Sequence, residues 1–272
     1  MDDAPISSDG NREDKAEEKR LSFLDMASDS NDQGAIILID QTKEMDEEYR
    51  TEYLKAMLTF QDSDCNTGLH FGAKNGNFNL CDKIIKEADL IGIADLIVNC
   101  RNEEGITPLV LVSWRGYHTV GDKDEAIDRR APIIELLLKA GAKPNYCKLT
   151  TKMTALHWLA FNNDHTAVEM ILRNGGDHLA KNSEGLLPID VAGTTPSLKT
   201  VDTLLEHYSA TNKLPPPRTF HNDFSTVEKF MDYETESIDG KGKRARAGNY
   251  VTKGEQDLEV DFDQDEGEEI GF

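Results

Sequence analysis

Through the middle of the chain, apolar residues recur at helical spacing in pairs of short runs. The first run of each pair follows a polar turn and begins at Thr67, Thr107, Thr154 or Leu187. The second forms a stripe: Leu80/Ile84/Ile85, then Ile133/Leu136/Leu137, Val168/Ile171/Leu172 and Val201/Leu204/Leu205. Residues three and four apart share one face of a helix, so each stripe predicts an amphipathic helix with its apolar side turned inward. Gly141-Ala142 and Gly175-Gly176 follow the second stripes of two units, where glycine supplies the left-handed turn that ends a helix. The pattern predicts four helix-turn-helix units over residues 64–208 and an all-α fold. Ahead of them, Tyr53, Leu54, Met57 and Leu58 make one side of a helix over residues 45–60 that reads as an N-terminal cap.

The turns themselves carry a motif. Thr67-Gly-Leu-His70, Thr107-Pro-Leu-Val110, Thr154-Ala-Leu-His157 and Leu187-Pro-Ile-Asp190 align, and together they resemble the Thr-Pro-Leu-His-x-Ala signature of ankyrin repeats. Thr154 to Leu187 is one step of 33 residues, the family period, whereas Thr67 to Thr107 is 40 and Thr107 to Thr154 is 47. The excess in the second unit places an inserted loop at 117–131, between its helices. In the first unit, residues 90–98 read as a lengthened second helix. Val110 and Asp190 stand where the signature has His, so the hydrogen bonding at those turns must differ.

The resemblance implies a solenoid of stacked units with short finger turns. It divides the chain into a tail (1–42), a capping helix (43–62), the repeats (63–212) and a Pro-rich linker and tail (213–272). It also implies a protein partner held in the groove between the finger turns and the first helices. The family register places Asp64, Glu103, Glu104, Thr151 and Glu184 in the fingers. On the first helices it places Lys74 and Asn75, Trp114 and Arg115, Phe161 and Asn162, and Thr194 and Thr195. Trp114 and Phe161 read as exposed aromatics without a packing partner in their own units, and Trp and Arg are enriched at binding hot spots.

Charge sharpens this division. The net charge of −21 is concentrated at the ends: −10 over residues 1–48 and −9 over 221–272, against −2 for the 172 residues between. Segments so charged bury too little apolar surface to offset chain entropy, so both ends are expected to be acidic and disordered. A basic face for nucleic acid is missing, and the chain repels phosphate. A partner with a basic surface fits better. The longest apolar stretches, at 35–39 and 133–138, are far short of the ~20 residues that cross a bilayer. Cys65, Cys81, Cys100 and Cys147 have no framework spacing and read as free thiols of a reducing compartment, the cytoplasm, with the nucleus left open by the basic run at 241–246.

No catalytic constellation is present in the sequence, and no cofactor or metal is expected. His70 and His157 occupy the signature position, where the resemblance implies hydrogen bonding between turns. Cys65, His70 and Cys81 lack a fourth ligand at zinc-finger spacing. The acidic run from Asp261 fails as a calcium loop, because its sixth and twelfth residues are Glu266 and Phe272 rather than Gly and Glu. Ser28, Ser30 and Ser237, beside acidic residues, suit acidophilic kinases. Residues 224–233 carry an amphipathic turn that could dock on the repeats, and Ile270 and Phe272 could add an extended C-terminus to a groove. These observations point to a monomeric, non-catalytic adaptor or scaffold. Two alternatives stay open: an inhibitor that masks a basic surface, and the leading part of a larger ankyrin-bearing channel or transferase.

Overall fold

A computed structural model of the chain describes residues 10–114, 123–192 and 199–211, with side chains over 18–114, 130–192 and 199–211. Arg115, Thr194, Thr195, residues 117–122 of the inserted segment and everything from residue 212 onward lie outside the described residues. With them go the expectations for the amphipathic turn, the basic run and the C-terminus. The described residues are helical without strands, and an isolated bridge pairs Cys147 with Thr154.

The predicted pairs form. They are α4 (Gly68–Asn75) with α5 (Phe78–Leu90), α7 (Pro108–Trp114) with α8 (Lys123–Lys139), α9 (Ala155–Phe161) with α10 (His165–Arg173), and α11 (Pro188–Ala192) with α12 (Lys199–Thr211). First helices pack on first helices in chain order, α4 on α7, α7 on α9 and α9 on α11; second helices do the same. No short helix here could bury its apolar side alone, so each unit borrows its core from its neighbours. Leu69, Leu80, Ile84, Leu109, Ile133, Leu137, Leu159, Val168, Ile171 and Leu204 form one continuous core with exposures of 0 or 1%. Each such side chain contributes roughly 1.5–3 kcal/mol by leaving water.

Two boundaries differ from the pattern. The lengthened second helix over 90–98 is broken, because Gly92 takes a left-handed φ of 73°; α5 stops at Leu90 and a separate α6 (Ala94–Val98) follows. The insertion read as a loop over 117–131 is helical from Lys123 and lengthens α8 at its N-terminal end, with Pro132 inside the helix. Arg130, buried on α8, lies 3.9 Å from the buried carboxylate of Asp164, which caps α10.

The largest difference lies at the N-terminus, where acidity alone predicts a disordered tail through residue 42. Residues 10–41 instead form α1 (Gly10–Ser28) and α2 (Asp32–Gln41), and α3 (Glu47–Leu58) comes after them. α1 packs on α4 and α2 on α5, as the later units do. Phe23, Leu24, Ala27, Ala35 and Ile39 are buried in the same core. Their spacing is helical, but it is diluted by the surrounding carboxylates. A Cβ on Gly68 would lie 2.6 Å from the Phe23 ring, so a glycine at the start of α4 is what admits that ring. The predicted helix over 45–60 is present as α3, with Tyr53, Leu54, Met57 and Leu58 buried as expected, but a helix pair precedes it.

Charged groups fasten the added pair. Lys83 on α5 bonds Asp40 of α2 at 2.7 Å and Glu87 at 3.0 Å, and Glu87 also accepts from Arg50 of α3 at 2.6 Å. Hydrogen bonds from Lys43 and Lys83 hold the Asp40 carboxyl below its usual range. The carboxylates that disguise this region as a tail are partly consumed in holding it to the repeats.

Candidate protein-interaction face

The finger turns are built on one plan. Asp62 Oδ1 accepts the backbone N–H groups of Asp64 and Asn66, Asn102 Oδ1 those of Glu104 and Ile106, and Asn182 Oδ1 those of Glu184 and Leu186. Short polar side chains bond their own backbone two residues on, which is why they nucleate such turns. Successive turns are then joined through the backbone. Glu103 N–H donates to Asp64 C=O (2.9 Å), Leu149 N–H to Glu104 C=O (2.9 Å) and Ser183 N–H to Thr151 C=O (2.8 Å). The finger residues expected from the sequence, Asp64, Glu103, Glu104, Thr151 and Glu184, therefore sit in adjoining turns.

The third finger breaks the plan. Gly141 to Thr154 is 13 residues where Gly175 to Leu187 is 12. The extra residue puts Lys148, rather than an Asn or Asp, at the base of the turn, where its N–H bonds Met153 C=O as Asn102 N–H bonds Ile106 C=O. Lys148 is buried; its Nζ lies 3.1 Å from Glu104 of the preceding finger and 5.5 Å from the centre of the Trp114 ring. Leu149 beside it is 59% exposed and lies over Gly105, whose missing Cβ leaves room for it. Sequence reasoning missed Lys148 and Leu149, although counting residues in the third finger would have found them.

Each finger also needs one residue with positive φ. Gly105 and Gly185 meet that need at 78°, but Cys65 (62°) and Lys152 (53°) fill the matching places in the first and third fingers. Left-handed backbone strains residues that have a Cβ. Cys65→Gly and Lys152→Gly are each expected to raise stability by about 0.5–1 kcal/mol in urea unfolding.

Trp114 and Phe161 are half-buried, which corrects their reading as exposed aromatics, and Phe161 has a packing partner in its own unit whereas that of Trp114 belongs to the next. Both rest on Trp158: Trp114 is tilted on it at 5.7 Å, and the Phe161 ring meets it edge-on at 6.5 Å. With Ile106, Val110, Leu111 and Met153, the two indoles form a cluster separate from the main core. Lys74 is half-buried beside the Phe71 ring (5.8 Å). Asn75 and Asn162 serve the fold: Asn75 donates to the Ala27 carbonyl (3.0 Å) and Asn162 to the Ser113 carbonyl (2.8 Å). Each caps the end of the preceding first helix, whose last carbonyls otherwise lack donors. Thr151 is buried at 8% exposure, and its hydroxyl accepts from Met153 N–H. That leaves Asp64, Glu103 and Glu184 as the sequence-predicted residues exposed to solvent on this face.

The two signature histidines are spoken for. His70 Nδ1 accepts the Thr67 N–H (3.1 Å), so Nε2 carries the proton and donates to Ile106 C=O (3.1 Å) in the next finger. His157 does the same between Thr154 N–H (3.3 Å) and Leu186 C=O (3.1 Å). Burial holds both rings neutral and lowers each pKa to about 4. At the fourth turn Asp190 replaces the ring, its carboxylate accepting Leu187 N–H at 2.7 Å. At the second turn Val110 leaves only a 3.4 Å bond from its own N–H to the Thr107 hydroxyl. Among the described residues no cluster of three or more His, Cys, Asp or Glu could hold a metal ion, and burial pushes the Cys81 thiol well above its usual range. No helix of the described residues is long and apolar enough to cross a membrane.

The family model described as ankyrin repeat matches residues 151–183, which run from the tip of the third finger through α9 and α10 into the fourth finger. This is the unit with the regular 33-residue step, the complete Thr154–His157 pair and both finger contacts. Ankyrin repeats are protein-interaction modules and generally non-catalytic. Residues 151–183 are thus an ankyrin repeat, and the neighbouring units fold on the same plan, consistent with an ankyrin-repeat protein.

Proposed function

We propose that this chain is a non-catalytic adaptor whose repeats stack into one solenoid and bind a partner protein across the fingers and first helices. The observation that supports this reading most is the aromatic cluster around Trp158. It is separate from the main core, it includes half-buried Trp114 and is met edge-on by half-buried Phe161, and the exposed Leu149 follows Lys148, whose Nζ is 5.5 Å from the centre of the Trp114 ring. Apolar and aromatic groups partly open to water, with exposed Glu103 and half-buried Glu104 in the adjoining finger, have the composition of an interface centre with a polar rim. Free cysteines suit a reducing compartment, the cytoplasm or the nucleus.

The test is to compare full-length wild type with Leu149→Ser, which alters the face without emptying the core, and with Lys86→Ser on the exposed side of α5. A protein captured by wild type and by Lys86→Ser is expected to bind Leu149→Ser about tenfold more weakly. Equal capture by all three would sink the reading. A second reading, an inhibitor that covers a basic partner surface, is favoured by the charges of −10 and −9 at the two ends. It requires affinity that falls steeply with salt and with deletion of residues 255–272.

A further inference from the structure

Between the ends of the second helices and the fingers lies a small group of side chains that the aromatic face does not use. Arg101 and Lys143 converge on one ring, that of Tyr146: the Arg101 guanidinium carbon is 4.9 Å from its centre and Lys143 Nζ is 6.0 Å from it. Both cations are exposed and the ring is half-buried. The backbone sets this convergence. Asn99, two residues before Arg101, accepts Lys143 N–H at 2.8 Å and donates to Gly141 C=O at 3.1 Å, which pins the two loops side by side.

These groups hold donors with nothing to bond. Arg101 spends its Nε on Gly105 C=O (3.3 Å). Among the described residues its two terminal nitrogens, Lys143 Nζ and the Tyr146 hydroxyl have no hydrogen-bond or ion-pair partner. The nearby carboxylates are engaged locally, Asp95 with Asn99 Nδ2 (3.0 Å) and Asp177 with Leu179 N–H (2.9 Å). In a chain of net charge −21, two cations share this one aromatic ring. A guanidinium, an ammonium and a phenol that all donate select an acceptor-rich, negatively charged group.

We propose that Arg101, Lys143 and Tyr146 form a second contact site that receives an acidic segment of the partner protein, its carboxylates replacing the missing acceptors. This rests on the reading of the chain as a protein binder but not on the aromatic face. It also assigns the partner a charge opposite to the one that the acidic ends alone suggest, and the two sites can engage different parts of one partner.

The probe is a fluorescein-labelled hexaglutamate peptide, titrated into the full-length chain at low ionic strength and followed by anisotropy. The molecule as a whole repels such a peptide, so saturable binding needs a local site. Binding is expected to weaken about five- to tenfold in Arg101→Ala/Lys143→Ala. It should stay within about twofold of wild type in Lys86→Ala/Lys139→Ala, which removes the same charge from exposed positions on second helices. Tyr146→Phe, which keeps the ring, is expected to weaken it about two- to threefold through loss of one donor. Absence of saturable binding to wild type, or equal loss in both double variants, overturns the proposal. Leu149→Ser should leave peptide binding unchanged, so failure of the aromatic face and failure of this site are read separately.

Discussion

Replacing Phe23 with alanine is expected to lower the unfolding free energy by about 3–5 kcal/mol, the cost of emptying a closely packed aromatic site. The ring is 0% exposed and lies against Gly68 at the start of α4, so its loss leaves a cavity between the N-terminal helix pair and the first signature turn. Urea unfolding of the full chain measures the loss. Gly68→Ala approaches the same contact from the other side, forcing a Cβ to within 2.6 Å of the ring, and should cost about 1–3 kcal/mol. Because both variants act on one contact, their effects should not add. An acidic tail detached from the repeats predicts no effect from Phe23→Ala. A variant that unfolds with wild-type stability would therefore remove α1 from the fold.

Acid should loosen the repeats well above the range in which carboxylates titrate. His70 and His157 are neutral in the folded chain, each with its pKa lowered to about 4 by burial, and they return to an ordinary value near 6.5 on unfolding. Between those values the unfolded chain binds more protons, so stability rises with pH there. The contribution is complete above the unfolded value, is lost as pH falls through 6.5 toward 4, and changes little further below. Linkage sets the loss at up to ~3 kcal/mol per histidine. Urea unfolding at pH 7 and pH 5 should show it, and His157→Gln should reduce the difference. Proton NMR offers a readout that does not need the variant to fold: the two buried rings should not titrate down to about pH 5. Titration of either ring near pH 6.5 would show that it is not held between the fingers as described.

Both expectations concern parts of the molecule that the sequence revealed unequally. The signature histidines were legible because the motif names their position, and the hydrogen bonding between turns that it implies is what the rings make. The second helices were legible because their apolar stripes persist against a near-neutral background. α1 and α2 were not, since Phe23, Leu24, Ala27, Ala35 and Ile39 are scattered among carboxylates and a composition average hides their spacing. Whether Glu87 and Asp40 repel or fasten depends on where Lys83 and Arg50 lie, and those partners are up to 43 residues away.

The candidate face divides in the same way. The register located the fingers correctly, because turn residues act on their own backbone and so announce themselves locally. It could not tell which first-helix residues were available. Asn75 and Asn162 read as surface amides until the preceding helix end appears within bonding distance, and Trp114 reads as exposed until Trp158 of the next unit lies against it.

By itself, the sequence determined the repeat, its period, the helix pairs and the turns, because these follow from spacing and from short-range hydrogen bonding within each unit. Tertiary structure alone decided how far the array extends at its N-terminus and which finger is exceptional. It also decided where unsatisfied donors gather, at Arg101, Lys143 and Tyr146. Those outcomes depend on contacts between units, where one residue's environment is supplied by another some 30–50 positions away, and no local pattern records them.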